Sequence, residues 1–204
     1  MKTSRATAVV TDTSADAAAF NAPLFGALLK GLESGGRCVV LDLGAARAQT
    51  VTLVSRYRCR LEIADLSAGL EQLNAETEAD RMLQLADALL PAPRDEPIDA
   101  VLCWDLLNYL ERPALKALMA RIAVRSRPGT VVHALIVYAG THMPARAGQF
   151  MPIDEHSLLD LSAAQSARKA PRYSPADLTD CMTAYTLERA MLLSNGMQEM
   201  LFRV

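Results

Sequence analysis

Short apolar runs alternate along the chain with segments of helical periodicity. Leucines spaced three and four residues apart predict a first helix, which Asn21 caps and Gly35-Gly36 end. The apolar run Val39–Leu43 follows between glycines, which is typical of a strand buried on both faces of a parallel sheet. The pattern therefore opens as a helix followed by a buried strand.

The same alternation continues to the end of the chain. Further strands are predicted at Leu61–Asp65, Met82–Leu85, Asp99–Trp104 and Thr130–Tyr138. Two final strand-like runs, Ala184–Leu193 and Met197–Val204, are joined by Asn195-Gly196, a strong hairpin signal. Four strand-then-helix units and a fifth strand predict a doubly wound, mostly parallel, Rossmann-like α/β sheet. The final runs add a C-terminal antiparallel β-hairpin at one edge.

The chain of 204 residues is long enough for one domain, which we place at residues 19–204. Residues 1–18 are small and polar and are predicted to form a flexible N-terminal tail. Residues 140–172 lack a regular pattern. Because long irregular inserts in compact domains are often functional, we expect this one to cover a substrate.

Composition narrows the classes of function. The formal net charge of −2 gives no basic field for nucleic acid, and no apolar run is long enough to span a membrane. The four cysteines lack the close spacing of a metal or redox pair, so we expect reduced core thiols and a cytoplasmic location. The three histidines show no metal-ligand spacing, and no metal is predicted.

A ligand of such a fold binds beyond the carboxyl ends of the strands. The first parallel strand ends at Asp42 and Gly44, and Asp65 ends the second strand 21 residues after Gly44. An acidic residue at this interval is suited to hold the hydroxyls of a ribose. Asp65 alternatively caps the helix that follows it.

The motifs at these strand ends resemble those of class I S-adenosylmethionine-dependent methyltransferases. The matching segments, in chain order, are Val40–Gly44, Ile63–Leu66, Ala86–Ala88, Ile98–Leu102, Leu106–Leu110 and Arg127–Val132. Each motif alone is weak, but their order and spacing over residues 20–204 are specific. The terminal hairpin further distinguishes this fold from the dinucleotide dehydrogenases.

The resemblance implies a cofactor, S-adenosylmethionine, and roles for individual residues. Asp42 and Gly44 would line its methionine end, Asp65 would hold its ribose, and Asp87 would meet its adenine. Trp104 and Asp105 would lie beside the methyl group and face the substrate. A substrate hydroxyl or amine needs a proton acceptor, and Asp105 and Tyr109 are the candidates.

The chain departs from the family at its glycine-rich motif, where Ala46, Arg47 and Ala48 follow Gly44. The Ala46 methyl group enters space that the cofactor would use, whereas Arg47 could pair with the cofactor carboxylate or fill the site. We therefore expect a methyltransferase for a small molecule or side chain. The alternative is a catalytically inactive relative that binds or regulates, and a nucleotide-dependent oxidoreductase ranks third. The apolar run Met197–Val204, if it forms an edge strand, could also pair with a second copy in a homodimer.

Overall fold

A computed structural model describes residues 18–33, 36–147, 150–161 and 166–204. Its strands are β1 (Ala18–Asn21), β2 (Cys38–Asp42), β3 (Cys59–Ile63), β4 (Ile98–Leu102), β5 (Ser126–Val137), β6 (His142–Pro144), β7 (Phe150–Pro152), β8 (Ser157–Asp160), β9 (Ala167–Lys169), β10 (Thr186–Leu192) and β11 (Met197–Arg203). Its α-helices are α1 (Pro23–Glu33), α2 (Ala48–Val54), α3 (Leu70–Ala75), α4 (Ala79–Leu89), α5 (Arg112–Val124) and α6 (Pro175–Cys181). Single 3-10 turns occupy Leu66–Ala68 and Leu106–Tyr109.

The main sheet has six strands in the order β10-β11-β5-β4-β2-β3. The four strands β3, β2, β4 and β5 are parallel to one another. β11 runs antiparallel to β5, and β10 antiparallel to β11, so the C-terminal hairpin lies at one edge as predicted. β2 has a neighbour on each side, which places its carboxyl end inside the sheet.

Apolar side chains cover both faces of this sheet. Neighbouring residues of β2 alternate between two cores: Val40 packs with α1 and α2, whereas Leu41 packs with α3, α4, α5 and α6. Since side chains of a strand point alternately to opposite faces, a strand buried on both sides must be apolar throughout. This arrangement confirms the α/β class, with a mixed sheet whose two faces are both covered.

The predicted third strand, Met82–Leu85, is wrong because these residues lie in α4. Met82 and Ala86 are the buried residues of this helix, four positions apart on one side. The Glu78 carboxylate caps the helix by accepting hydrogen bonds from the backbone N–H groups of Asp80 and Arg81. Within the described residues, three strand-then-helix units therefore precede β5, one fewer than the pattern predicted.

The ends of several other elements differ from their predicted positions. Asn21 is the last residue of β1, and α1 begins at Pro23 without an Asn21 cap. β5 begins at Ser126, so it includes the Pro128-Gly129 pair that was expected to precede it. β11 lies between β5 and β10, so the expectation that Met197–Val204 offers a free edge to a second copy is wrong.

The structure also corrects the prediction that all cysteines are reduced. Cys38 and Cys59 are directly paired across the parallel strands β2 and β3 and form a disulfide. Their Cα atoms are 4.5 Å apart, within the range that a disulfide can bridge. Cys103 and Cys181 are free and buried, as expected for small apolar side chains.

The insert at 140–172 contains short strands. β8 pairs antiparallel with β1 on one side and with β7 on the other, and β6 pairs with β9. The predicted tail at 1–18 lies outside the described residues except for Ala18, the first residue of β1. None of the helices in the described parts of the chain has both the length and the apolar character needed to cross a membrane.

Candidate functional site

Asp42 ends β2 and is the most buried acidic group at the carboxyl edge of the sheet, with 1% of its surface exposed. Its Oδ1 accepts hydrogen bonds from the Gly44 N–H at 2.8 Å and the Trp104 indole Nε1–H at 2.6 Å. Its Oδ2 has no hydrogen-bond partner among the described residues. Burial raises the pKa of Asp42 to about 6, against the lowering effect of these two bonds.

The Trp104 indole lies directly on Gly44. A Cβ atom placed on Gly44 would come within 2.7 Å of the indole Cδ1 and 2.8 Å of Nε1. Trp104 is only 3% exposed, and its ring contacts those of Phe25 and His133. The residue expected to face a substrate is therefore packed inward, over the first glycine of the loop.

Asp65 follows β3 and remains exposed beside this group. Its backbone has the left-handed conformation, with φ of 45°, and its Oδ1 accepts a hydrogen bond from the Ser67 hydroxyl at 2.7 Å. The side chain makes no capping bond to the turn that follows it, which removes the support for the alternative capping role. The charge of Asp65 contributes to raising the pKa of Asp42.

Arg47 joins the same group from the start of α2, where it takes the N-cap position without a side-chain capping bond. Its positive charge lowers the pKa of Asp42, although burial outweighs it. The structure thus brings together five of the predicted residues: Asp42, Gly44, Arg47, Asp65 and Trp104.

Asp105 and Tyr109 lie on the loop after β4, and both are buried. The Tyr109 hydroxyl lies 2.9 Å from the Pro144 carbonyl oxygen and 3.1 Å from that of Arg146, and it also hydrogen-bonds the Asp105 side chain. Burial and the charge of Asp105 raise the pKa of Tyr109. Tyr109 therefore stays a protonated phenol that donates to the acceptors around it.

Two cavities at the carboxyl edge share Tyr109 in their walls. One, of about 160 Å³, is also lined by Asp105, Asp160 and Phe150. The other, of about 450 Å³, opens beside the Asp65 turn and is also lined by Ser67, Asn74 and Arg168. A larger cavity of about 530 Å³ lies between α1 and the starts of β4 and β5 and contains none of the predicted site residues.

Three of the residues that build this region were missed from the sequence. Asn108 is buried and donates to the Asp105 and Leu135 carbonyl oxygens, both at 2.8 Å, which fixes the loop after β4 against β5. Arg168 lies over the Tyr109 ring, 5.7 Å from its centre. Asp160 enters from β8. Arg168 and Asp160 come from the insert, where no sequence pattern indicated their position. Asn108 directly precedes the predicted residue Tyr109, which was the only sequence feature that pointed to it.

Asp87 is not brought to this site. It lies in α4, and its carboxylate forms ion pairs with Arg125 at 2.7 Å and Arg121 at 3.1 Å. The hydrogen bonds from Arg125 and Arg121 lower the pKa of Asp87. The Arg125 carbonyl accepts a hydrogen bond from Ile98, the first residue of β4, so Asp87 lies toward the amino ends of the strands. Its predicted contact with adenine depended on the strand that the structure replaces by α4.

Solved structures with the same fold include known methyltransferases. An S-adenosylmethionine-dependent methyltransferase from Clostridium acetobutylicum is 13% identical, with 88% of this chain and 90% of that chain covered and a TM-score of 0.53. An amino pentose methyltransferase of calicheamicin biosynthesis from Micromonospora echinaspora, with S-adenosylmethionine bound, is 14% identical, with 89% of each chain covered and a TM-score of 0.52.

No protein-family model and no curated protein sequence matches the chain. The structural likeness, together with the strand order, shows that the chain has the fold of class I S-adenosylmethionine-dependent methyltransferases.

Proposed function

We propose that this protein transfers a methyl group from S-adenosylmethionine to a small molecule. The observation that carries the proposal is the position of Tyr109, which lies in the walls of two cavities at the carboxyl edge of the sheet. The cavity of about 450 Å³ is lined by Ser67, in the turn that follows Asp65, and has room for a nucleoside. The smaller cavity is lined by Asp105 and suits a compact substrate. Two sites that meet at one side chain are what direct group transfer requires.

The residues at the strand ends fit the cofactor chemically. The exposed Asp65 carboxylate, in a left-handed turn at the end of β3, is suited to accept both ribose hydroxyls. The unpartnered Oδ2 of Asp42 provides a buried acceptor for a cationic group such as the cofactor's ammonium. Arg47 would meet the cofactor carboxylate. The space over Gly44 is filled by the Trp104 side chain and not by backbone, so movement of that side chain would make the loop accessible to the cofactor.

Bound S-adenosylmethionine supplies a methyl group on a sulfonium, which is already activated for displacement. The protein's own tasks are to align a nucleophile and to accept its proton. Asp105 would accept that proton in the smaller cavity, where Asp160 provides a second carboxylate. Tyr109 would hold Asp105 and the insert in place through its hydroxyl.

A second candidate function is that of a catalytically inactive relative that binds or regulates. Its specific support is the Trp104 indole, which occupies the space over Gly44 in a loop already poor in glycine. Under this alternative the covered loop is a permanent state, and S-adenosylmethionine does not bind.

Calorimetric titration with S-adenosylmethionine and S-adenosylhomocysteine tests the proposal. We expect binding to the native protein that weakens by roughly 1.5–3 kcal/mol in Asp65→Asn, because a hydrogen-bonded charge is lost. Asparagine also tolerates the left-handed backbone of this position, so the turn is preserved. The exposed Asp95→Asn is the matched control and should bind normally. Absence of binding to the native protein and to a variant with the Trp104 indole removed would refute methyl transfer.

A further inference from the structure

From these contacts we infer that the Trp104 indole is a movable cover over the cofactor site, which must leave Gly44 before the cofactor's methionine end can bind. The inference rests on the proposed function and adds to it a residue that controls the affinity and the rate of cofactor binding. It is carried by the space above Gly44, by the contacts of the indole and by the state of Asp42.

The Trp104 indole fills the space above Gly44 that a ligand would need. The two closest atoms to a Cβ built on Gly44 belong to Trp104, and the third is the Asp42 Oδ1 that the indole already bonds, at 3.2 Å. All three belong to side chains. A rotation of Trp104 would therefore open the loop without moving a strand.

The backbone of Trp104 is fixed while its side chain is held by few bonds. The Trp104 carbonyl oxygen accepts a hydrogen bond from the Leu135 N–H at 2.7 Å, which ties the residue to β5. Its φ of 49° is a conformation that bulky residues rarely adopt. The side chain makes one hydrogen bond, to Asp42, and otherwise packs without hydrogen bonds in the apolar core on the α1 side of the sheet, against the rings of Phe25 and His133. A backbone conformation of this kind is typical of functional sites, where the surrounding structure holds it in place.

Asp42 can exchange its hydrogen bond with the indole for bonds with a ligand, and this exchange favours movement of the indole away from Gly44. In the closed arrangement Oδ1 has two donors and Oδ2 has none among the described residues. Leaving a buried polar atom without a partner costs free energy that a bound donor recovers. A cationic ligand could bond Oδ2 and at the same time replace the indole N–H on Oδ1. The cover would thus be released by the ligand that it excludes.

The chain contains one tryptophan, so its fluorescence reports on the cover directly. We expect S-adenosylmethionine to shift the emission of the native protein to longer wavelength as the indole leaves its buried position. In stopped-flow measurements the observed rate should reach a plateau with increasing cofactor, because opening limits binding. Calorimetry on the same samples measures the binding itself.

Removal of the cover gives the matched comparison. If the open state is a minor fraction of the native protein, Trp104→Ala should bind S-adenosylmethionine about tenfold more tightly or better, in proportion to that fraction. Trp104→Phe lacks the indole N–H and should fall between the two, and it provides a folded variant should alanine unfold the core. Tyr57→Ala, which removes an aromatic side chain from the turn after α2, is the control and should bind as the native protein does.

The outcomes separate this inference from the proposed function. Binding to the native protein with unchanged tryptophan emission, or equal affinity in the two Trp104 variants and the native protein, would overturn the cover and leave methyl transfer standing. Binding only to the Trp104 variants would show that the indole does not leave Gly44 for the cofactor, which would overturn the movable cover and support the inactive relative. Absence of binding to all of the folded proteins would overturn both.

Discussion

The Nε2 atom of His133 lies 2.9 Å from Oε1 of Glu199, and both side chains are fully buried. The Glu199 carboxylate also accepts hydrogen bonds from the backbone N–H groups of Leu24 at 2.9 Å and Phe25 at 2.7 Å. These are among the first N–H groups of α1, which have no partners within the helix. A side chain from β11 therefore caps α1 and links it to β5.

We expect Glu199→Ala to reduce the free energy of unfolding by about 3–5 kcal/mol, because it leaves two helix N–H groups and a buried histidine without their acceptor. Glu199→Gln retains one carbonyl oxygen and should lose less. Urea denaturation followed by circular dichroism measures both. The exposed Glu188→Gln should stay within about 0.5 kcal/mol of the native protein. A similarly small effect in Glu199→Ala would show that the cap is not needed.

The free energy of unfolding should depend on pH through the ionisation of Asp42. Burial raises its pKa from 3.8 to about 6, so the folded state holds the proton more tightly than the unfolded state. The stabilisation of the folded state by protonated Asp42 is complete below about pH 4 and is lost as the pH rises through about 6. The difference corresponds to about 3 kcal/mol.

Urea denaturation of the native protein and Asp42→Asn at several pH values tests this. The free energy of unfolding of the native protein, taken relative to that of Asp42→Asn, should fall between about pH 4 and pH 6. The substitution removes the titrating group, and the other groups cancel in the comparison. A constant difference over this range would mean that the pKa of Asp42 is not raised.

Asp105 and Tyr109 should differ in their effects on methyl transfer, once a substrate is identified. Asp105→Asn removes the proposed proton acceptor and should lower kcat by about 10²–10⁴-fold. Tyr109→Phe removes hydrogen bonds to the insert and should mainly reduce stability, by about 1 kcal/mol. The pH profile of kcat should retain its acidic limb in Tyr109→Phe. Loss of that limb would assign the proton acceptor to Tyr109.

The disulfide predicts the number of reactive thiols. Under denaturing conditions without reductant, two thiols per chain should react, those of Cys103 and Cys181. Reduction should raise the number to four and lower the free energy of unfolding by about 3 kcal/mol, the value typical for a closed loop of this length. Cys59→Ser should react at three thiols with or without reductant. Four reactive thiols in the unreduced native protein would contradict the bond.

Local patterns in the sequence were sufficient for the elements that depend on neighbouring residues. Asn195-Gly196 predicted the terminal hairpin, and Gly196 takes a positive φ in the loop between β10 and β11. Val39–Leu43 reads as a doubly buried strand because both of its faces are apolar. Strand ends then located Asp42, Gly44, Asp65 and Trp104 at one edge, since parallel strands align their carboxyl ends.

What the sequence alone could not decide depends on contacts between distant segments. Met82–Leu85 is short and apolar and suits either a strand or a helix, and its packing in α4 made the choice and carried Asp87 away from the site. The direct pairing of Cys38 with Cys59 follows from the register of two strands, which no spacing rule fixes. The position of the Trp104 indole over Gly44 depends on rings and an acid brought together from α1, β2 and β5. The sequence located the strand ends that meet at this edge of the sheet, and tertiary packing determined which side chains there are buried, as Asp42 and Trp104 are, and which remain exposed, as Asp65 does.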